Sequence, residues 1–368
     1  MNQKEIQKLA SQCTRFLIGH PKNRWTAQRI LAELADWANP DLMPDMYGQG
    51  ELIEGFEAEI ASLLGKEAAV FMPSGTMCQQ IALRIWSERK GINRVAVHPK
   101  CHLEIHEHKA YQILHGLHGV LVGSPDCLLT LDDLQRVKEP LAALLLELPQ
   151  REIGGQLPAW QELKAIIDWA SQRKIATHLD GARLWECKPF YQRDYTEIAS
   201  LFDTVYVSFY KILGGIAGAV LAGPSDVIAE ARIWQRRHGG NLVRMYPFVL
   251  SAKKGLVERL DRMHDYHQKA LEIAAVLESF PQIDVVPNPP HTNMMHVYIR
   301  GNRERLEAAA LGIARETKIW LFYSLMPSPM ANCWKFEWTV GDATLDLTKP
   351  EIAALFKTLL NRAGVVGT

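Results

Sequence analysis

The sequence predicts an α/β protein: a large domain on a mainly parallel sheet covered by helices, joined to a smaller domain. Three observations predict it. Short apolar runs recur between residues 67 and 224, most of them bounded by turn residues, and are apolar throughout rather than alternating. The longer gaps between them carry helical spacing, as in 158–174. At 368 residues the chain also exceeds the roughly 250–300 at which one core stops growing.

The elements follow in order. "NQKEIQKLASQCTRFLI" and "TAQRILAELADW" read as helices separated by a break at "GHPKNRW", and "ANPDLMPDMYGQG" reads as a loop. "LIEGFEAEIASLLG" has helical spacing and ends on Gly65. "EAAVFMPSG" is a short apolar run ending in a turn, and "TMCQQIALRIWSERKG" is the next helix. "RVAVHP", "GVLVG", "LAALLLELP", "KIATHLDG", "TVYVSFYK" and "AGAVLAGP" supply the remaining strands. After about 225 long helices dominate, "DVIAEARIWQRRH" and "YPFVLSAKKGLVERLDRMHDYHQKALEIAAVLESF". A further β/α portion holds "NMMHVYI", "RERLEAAALGIARET" and "WKFEWTV". The expected organisation is a helical segment over 1–46 joining the small domain, a large domain over 47–250 and a small domain over 251–368.

Composition excludes several classes. Apolar residues make up 48% and charged residues 22%, and the formal net charge is zero, so no basic track for nucleic acid or polybasic membrane face is expected. No apolar run approaches the roughly 20 residues that span a bilayer, and "MNQKEIQKLA" lacks the apolar core of a signal peptide. The six cysteines form no CxxC pair and read as free, buried thiols in a reducing cytoplasm.

In open α/β sheets ligands bind beyond the carboxyl ends of the strands, so polar residues there are the candidates. Ser74, Gly75 and Thr76 lie between a strand and a helix, as an ordinary N-cap or as a phosphate cradle at a positive helix end. Asp180 ends "KIATHLD"; it either caps a turn and pairs with Arg183 or holds a protonated ring nitrogen. Lys211, at the end of "YVSFYK", is either a surface charge or a desolvated amine able to act as a nucleophile. Together these three sites meet the demands of pyridoxal phosphate: an amine for its aldehyde, a carboxylate for its ring nitrogen and a helix end for its phosphate. His102, His106 and His108 share a short stretch, but no acidic or cysteine partner with site-like spacing completes a metal set, and none is expected.

"MYGQG", "GKEAAVFMPSGTM", "HLDGARLW", "YVSFYKILGG", "RRHGGNLVR" and "HTNMM" closely resemble segments of the threonine aldolase / aromatic amino acid β-eliminating lyase family, in family order from about residue 45 to 300. The resemblance implies the pyridoxal-phosphate-dependent transferase fold (fold type I), with a mainly parallel seven-stranded sheet and a smaller α+β C-terminal domain. It makes Lys211 the Schiff-base lysine and Asp180 the partner of the pyridine nitrogen. It places Ser74, Gly75 and Thr76 at the phosphate turn, and Ser208 among the cofactor contacts. His102 matches the histidine that stacks on the cofactor ring, with Glu107 just beyond it. Arg183 matches an arginine near the cofactor that contacts the substrate carboxylate, and Tyr47 lies in an element near the active site. Arg244 matches an arginine that reaches the phosphate from a neighbouring subunit, so a homo-oligomer with shared sites, a dimer or tetramer, is implied.

Three departures concern the substrate end. Where the aldolases carry an Asn-Thr-His run, Gln150 falls near the position of a histidine that handles the β-hydroxyl proton, and glutamine is no base near neutral pH. Lys335 stands near a carboxylate-binding arginine and lacks its bidentate fork. "TRFLIGHPKNRW" replaces a serine-rich start, and Tyr210 replaces the serine before the lysine. The expectation is a cofactor-dependent lyase acting on a small-molecule amino acid, foremost retro-aldol cleavage of a β-hydroxy-α-amino acid to glycine and an aldehyde. The alternatives are β-elimination, or another reaction of the same cofactor on a larger amino acid, and, from another class, a non-catalytic cofactor-binding protein.

Overall fold

The computed structural model describes residues 3–20 and 25–365, so residues 21–24 of the break expected at "GHPKNRW" lie outside the described residues. The chain divides into two compact units, one of residues 32–152 and 156–261, the other of residues up to 31, 153–155 and from 262 onward.

The larger unit is organised by a seven-stranded sheet with the order Ala68–Met72, Ala219–Gly223, Thr204–Ser208, Ala176–Gly181, Ala143–Glu147, Arg94–Val97, His118–Leu121. Each strand coincides with one of the apolar runs in the sequence. The central strands are buried along their whole length, as expected where helices cover both faces. Five strands run parallel to their neighbours, while Ala219–Gly223 is antiparallel to both strands it separates. Register brings Glu147 opposite Asp180 and Asp180 opposite Tyr206, a row of three polar groups across the carboxyl ends of adjacent strands. Beside it starts the helix Gly75–Lys90, capped by Ser74 Oγ accepting from the Met77 N–H at 3.4 Å and closed by Gly91 at φ 65°. Only glycine takes that left-handed C-terminal position without steric cost.

The segment just before residue 47 is held by the larger unit. Asp45 is buried and accepts the N–H groups of Met245 (2.8 Å) and Tyr246 (2.7 Å), at the start of the helix Tyr246–Arg259. That helix also stays with the larger unit: Arg259 donates to the Leu213 carbonyl at 3.3 Å, and a Cβ on Gly255 would lie 2.4 Å from the same oxygen. The divisions therefore fall at 31/32 and 261/262 rather than at 46/47 and 250/251.

The smaller unit carries a four-stranded antiparallel sheet in the order Met326–Pro327, Cys333–Thr339, Met294–Arg300, Ile283–Val286. In its core Trp338 stacks on Phe356 and meets Phe336 at a tilt. The helices Met263–Leu277, Arg303–Thr317 and Lys349–Arg362 accompany it, the last opened by a Thr348/Glu351 capping box. The first helix stops at Ser11, short of the expected end, and Arg15–Phe16 pairs in parallel with Ile319–Trp320 instead. Helical spacing does carry on through "TRFLI", but a strand partner distant in sequence takes its backbone. All six cysteines are free; five are buried and Cys127 is exposed. Among the described residues, no helix is long and apolar enough to cross a membrane.

Candidate active site

Lys211 follows the buried strand Thr204–Ser208 and begins a tight turn. The Gly214 N–H bonds the Lys211 carbonyl at 2.9 Å, and the Gly215 N–H bonds the Phe209 carbonyl at 2.7 Å. A Cβ at Gly215 would lie 2.8 Å from that same Phe209 oxygen, so the close backbone approach demands glycine. Lys211 is half-buried at this turn, and no hydrogen bond or ion pair to a described residue holds its amine. Burial first, then the positive charge of Arg183, draws its pKa from the ordinary 10.5 to about 8, against the opposing charges of Asp180 and Glu147. The amine is thus a partly neutral nucleophile with carboxylates nearby.

Asp180, buried at the end of its strand, accepts from the Ala182 N–H (3.1 Å) on one oxygen and from Gln79 Nε2 (2.8 Å) on the other. The same Gln79 nitrogen donates to Glu107 Oε1 at 3.3 Å, and Glu107 Oε1 in turn meets His102 Nδ1 at 2.8 Å. A continuous hydrogen-bonded chain, His102–Glu107–Gln79–Asp180, therefore runs through the site. Both hydrogens of one amide are consumed between two carboxylates, which fixes the orientation of Gln79. Because Glu107 is anionic when ionised, it favours the proton on His102 Nδ1 and leaves Nε2 as the basic nitrogen.

Glu147, next to Asp180 in register, is half-buried. Burial and the Asp180 charge push its carboxyl up to about 7, opposed by the Arg151 N–H and by Lys211 and Arg183. Gln150 is buried and spends its amide nitrogen on Glu147 Oε2 and the Lys100 carbonyl, both at 3.1 Å. The expected substrate-facing residue is thus a clamp on Glu147, assisted by the Arg151 N–H at 3.2 Å on Glu147 Oε1.

The other expected residues lie as follows. Ser74 is the N-cap, with Gly75 and Thr76 the first two helical residues. A Cβ on Gly75 would meet the Tyr206 hydroxyl at 1.8 Å, so the helix end presses directly on that phenol. Ser208 donates its hydroxyl to the Ala182 carbonyl at 2.7 Å. Arg183 opens the short turn Leu184–Cys187 and acts electrostatically on both Lys211 and Glu147. Arg244 donates to the Asp45 carbonyl at 2.6 Å and to the Val243 carbonyl at 3.4 Å. Tyr47 sits at φ 50°, half exposed, 5.9 Å below the Arg236 guanidinium. Lys335 belongs to the smaller unit, on Cys333–Thr339, with its Nζ 3.5 Å from His296 Nδ1. His106 reaches Glu152 at 2.8 Å.

Sequence reasoning did not single out Gln79, Glu147, Arg151 or Tyr206 as site residues. For Gln79 a signal existed: two adjacent glutamines in "TMCQQIALRIW", both buried on a helix whose other buried residues are apolar except Ser87.

A nucleophilic lysine and paired carboxylates beyond the carboxyl ends of a mainly parallel sheet define an α/β enzyme of the pyridoxal-phosphate-dependent fold type I class, the class of its structural neighbours. Within that class the chain belongs to the β-eliminating lyase family, whose family model matches residues 39–302. A candidate L-allo-threonine aldolase from Listeria monocytogenes is 42% identical, with a TM-score of 0.92 over 98% of this chain and 99% of that one. A candidate aromatic amino acid β-eliminating lyase/threonine aldolase from Exiguobacterium is 40% identical, with a TM-score of 0.91 over 97% and 99%. The low specificity L-threonine aldolase of Escherichia coli K12 is 28% identical over 73% of this chain and 79% of its own length.

Proposed function

We propose that this protein is a pyridoxal-phosphate-dependent lyase that cleaves the Cα–Cβ bond of a β-hydroxy-α-amino acid to give glycine and an aldehyde. The observation that carries this reading is the half-buried Lys211 amine, without a hydrogen-bond partner among the described residues and drawn to about pKa 8 between Arg183, Asp180 and Glu147. The residues present fit the cofactor. Asp180 is a fixed carboxylate for a ring N–H, and Gly75 begins a sixteen-residue helix whose first N–H groups suit a phosphate.

When bound, pyridoxal phosphate supplies an aldehyde for amines and a protonated ring that accepts the electrons of the breaking bond. The chain's own residues do the rest. Lys211 would hold the cofactor through its aldehyde. Asp180, held by Gln79 and the Ala182 N–H, keeps the ring nitrogen protonated. Arg183 pairs with the substrate carboxylate. His102, its Nδ1 committed to Glu107, accepts the β-hydroxyl proton at Nε2 as the Cα–Cβ bond opens. This route needs no base at position 150, where the amide is committed to Glu147.

That commitment also favours a second reading, β-elimination from a substrate with a leaving group at Cβ, in which no hydroxyl proton is removed. Incubating the purified enzyme with threonine, allo-threonine and phenylserine, and assaying glycine and aldehyde, separates the two. Absence of aldehyde from all three, with pyruvate formed from a β-substituted alanine, would overturn the aldolase reading. Lys211→Ala should abolish the visible absorbance band that appears with the cofactor; a persisting band contradicts the lysine assignment.

Arg244, with the exposed apolar residues Leu242, Val243 and Tyr246 beside it, is proposed to serve a second subunit's phosphate in a homo-oligomer. Mixing Lys211→Ala with Arg244→Ala chains should then restore activity lost in each alone. A fully active monomer would exclude this arrangement. A cytoplasmic location accords with six free thiols.

A further inference from the structure

Two phenols meet at the start of the helix Gly75–Lys90. Tyr206 and Tyr210 are four residues apart, at the end of one strand and in the turn that follows, and their hydroxyl oxygens are 3.1 Å from each other. Tyr206 is 2% exposed, and its hydroxyl fills the space that a side chain at position 75 would need. Tyr210 is 37% exposed, and its hydroxyl faces the Gly75 N–H.

The proton arrangement follows from the cost of an unpaired buried donor. If Tyr210 donated to Tyr206, the Tyr206 proton would be left in the core with no acceptor among the described residues, a costly state. The reverse pairs the buried Tyr206 proton and leaves the free proton on the partly exposed Tyr210. Tyr206 donates to Tyr210 and the Gly75 N–H is directed at the same oxygen, so the Tyr210 proton points away from both. Burial raises the pKa of both phenols, so each keeps its proton near neutrality. An O–H donor is therefore presented at the N-terminal end of a helix, where the dipole already favours an anion.

We propose that Tyr210 donates a hydrogen bond to the phosphate of the bound cofactor, and that Tyr206 is the positioning residue that orients this donor. The bulky residue beside the reactive lysine is then a ligand for the cofactor's phosphate and not a constraint on the substrate. This inference rests on the cofactor reading above, and its test keeps the two apart.

Dissociation constants of pyridoxal phosphate and of pyridoxal, which lacks the phosphate, are measured by equilibrium titration for the full chain and for Tyr210→Phe and Tyr206→Phe. Thermal melting of the cofactor-free proteins checks that each variant folds. For Tyr210→Phe, pyridoxal phosphate affinity should fall about tenfold while pyridoxal affinity stays within about twofold. Tyr206→Phe should show a smaller loss, again confined to the phosphorylated ligand, and the double variant should lose less than the product of the two. The phosphorus resonance of bound cofactor should shift in Tyr210→Phe.

Failure of the unmodified chain to bind pyridoxal phosphate sinks the cofactor reading and this inference with it. Normal binding by the unmodified chain, with unchanged binding by Tyr210→Phe, refutes the inference alone. Equal losses for both ligands would also refute it, since the phenol would then act on the ring or the fold. Tighter binding by Tyr210→Phe would show the hydroxyl to be an occupant that the phosphate displaces, and would equally refute it.

Discussion

The amine of Lys211 should titrate near pH 8. Burial is the largest cause and the Arg183 charge the second, with Asp180 and Glu147 opposing them. At pH 7 a lysine at about 8 is neutral in roughly one molecule in ten, whereas an ordinary lysine is neutral in roughly one in several thousand. The structure thus raises the concentration of nucleophile by roughly 300-fold at that pH. Trace acetylation of the cofactor-free protein, read by peptide mass spectrometry across a pH series, reports the midpoint regardless of how slowly a buried amine reacts. The Lys211 peptide should reach half-labelling near pH 8, well before lysines at the ordinary value. Replacing Arg183 by Gln removes a like charge and should raise the midpoint by about one pH unit, equivalent to ~1.4 kcal/mol. Glu147→Gln should act in the opposite direction, because above about pH 7 that carboxylate is ionised and holds the ammonium in place. A midpoint at or above the ordinary lysine value, or a downward move with Arg183→Gln, would refute the electrostatic reasoning.

Three further outcomes are expected. Gln79→Glu places a third carboxyl between Asp180 and Glu107; its folded-state pKa is raised, so any stability it allows is present at low pH and lost as pH rises. The variant should melt near the parent at about pH 5 yet be destabilised by about 2–4 kcal/mol at about pH 8, and a pH-independent loss would contradict this. Asp45→Ala removes a buried acceptor of two backbone N–H groups at the start of Tyr246–Arg259. It should cost about 1–3 kcal/mol in urea unfolding, and an unchanged midpoint would count against the role given to Asp45. Gly75→Ala drives a Cβ to 1.8 Å from the Tyr206 hydroxyl and should lower the melting temperature by several degrees through overpacking of about 1–3 kcal/mol. Tolerance of alanine there would mean that Tyr206 does not press on the helix end.

Much of the larger unit is legible in the chain because the signals are local. An apolar run such as "TVYVS" is buried on both faces wherever it lies in a covered sheet, and each of the seven runs became one strand. Ser74 and Gly91 likewise mark the two ends of one helix through their own backbone requirements. Lys211, Asp180 and the Ser74–Thr76 turn could be located for a related reason: each sits at the end of a strand that its own apolar run marks. The stretch at Thr14–Phe16 was not legible, since its strand partner is some three hundred residues away and its own spacing is helical.

Alone, then, the sequence determined the seven strands of the larger sheet, most helices, and the placing of a lysine, an aspartate and a helix end beyond those strands. Only the tertiary structure decided that Ala219–Gly223 inserts antiparallel between Ala68–Met72 and Thr204–Ser208. It alone placed Glu147, Asp180 and Tyr206 in one row. It alone showed that Gln79 divides one amide between two carboxylates and that Gln150 faces Glu147. The reason is physical. Burial and capping depend on a residue and its near neighbours, whereas register and hydrogen-bond partnership depend on which distant segments share space, and no local pattern encodes that choice.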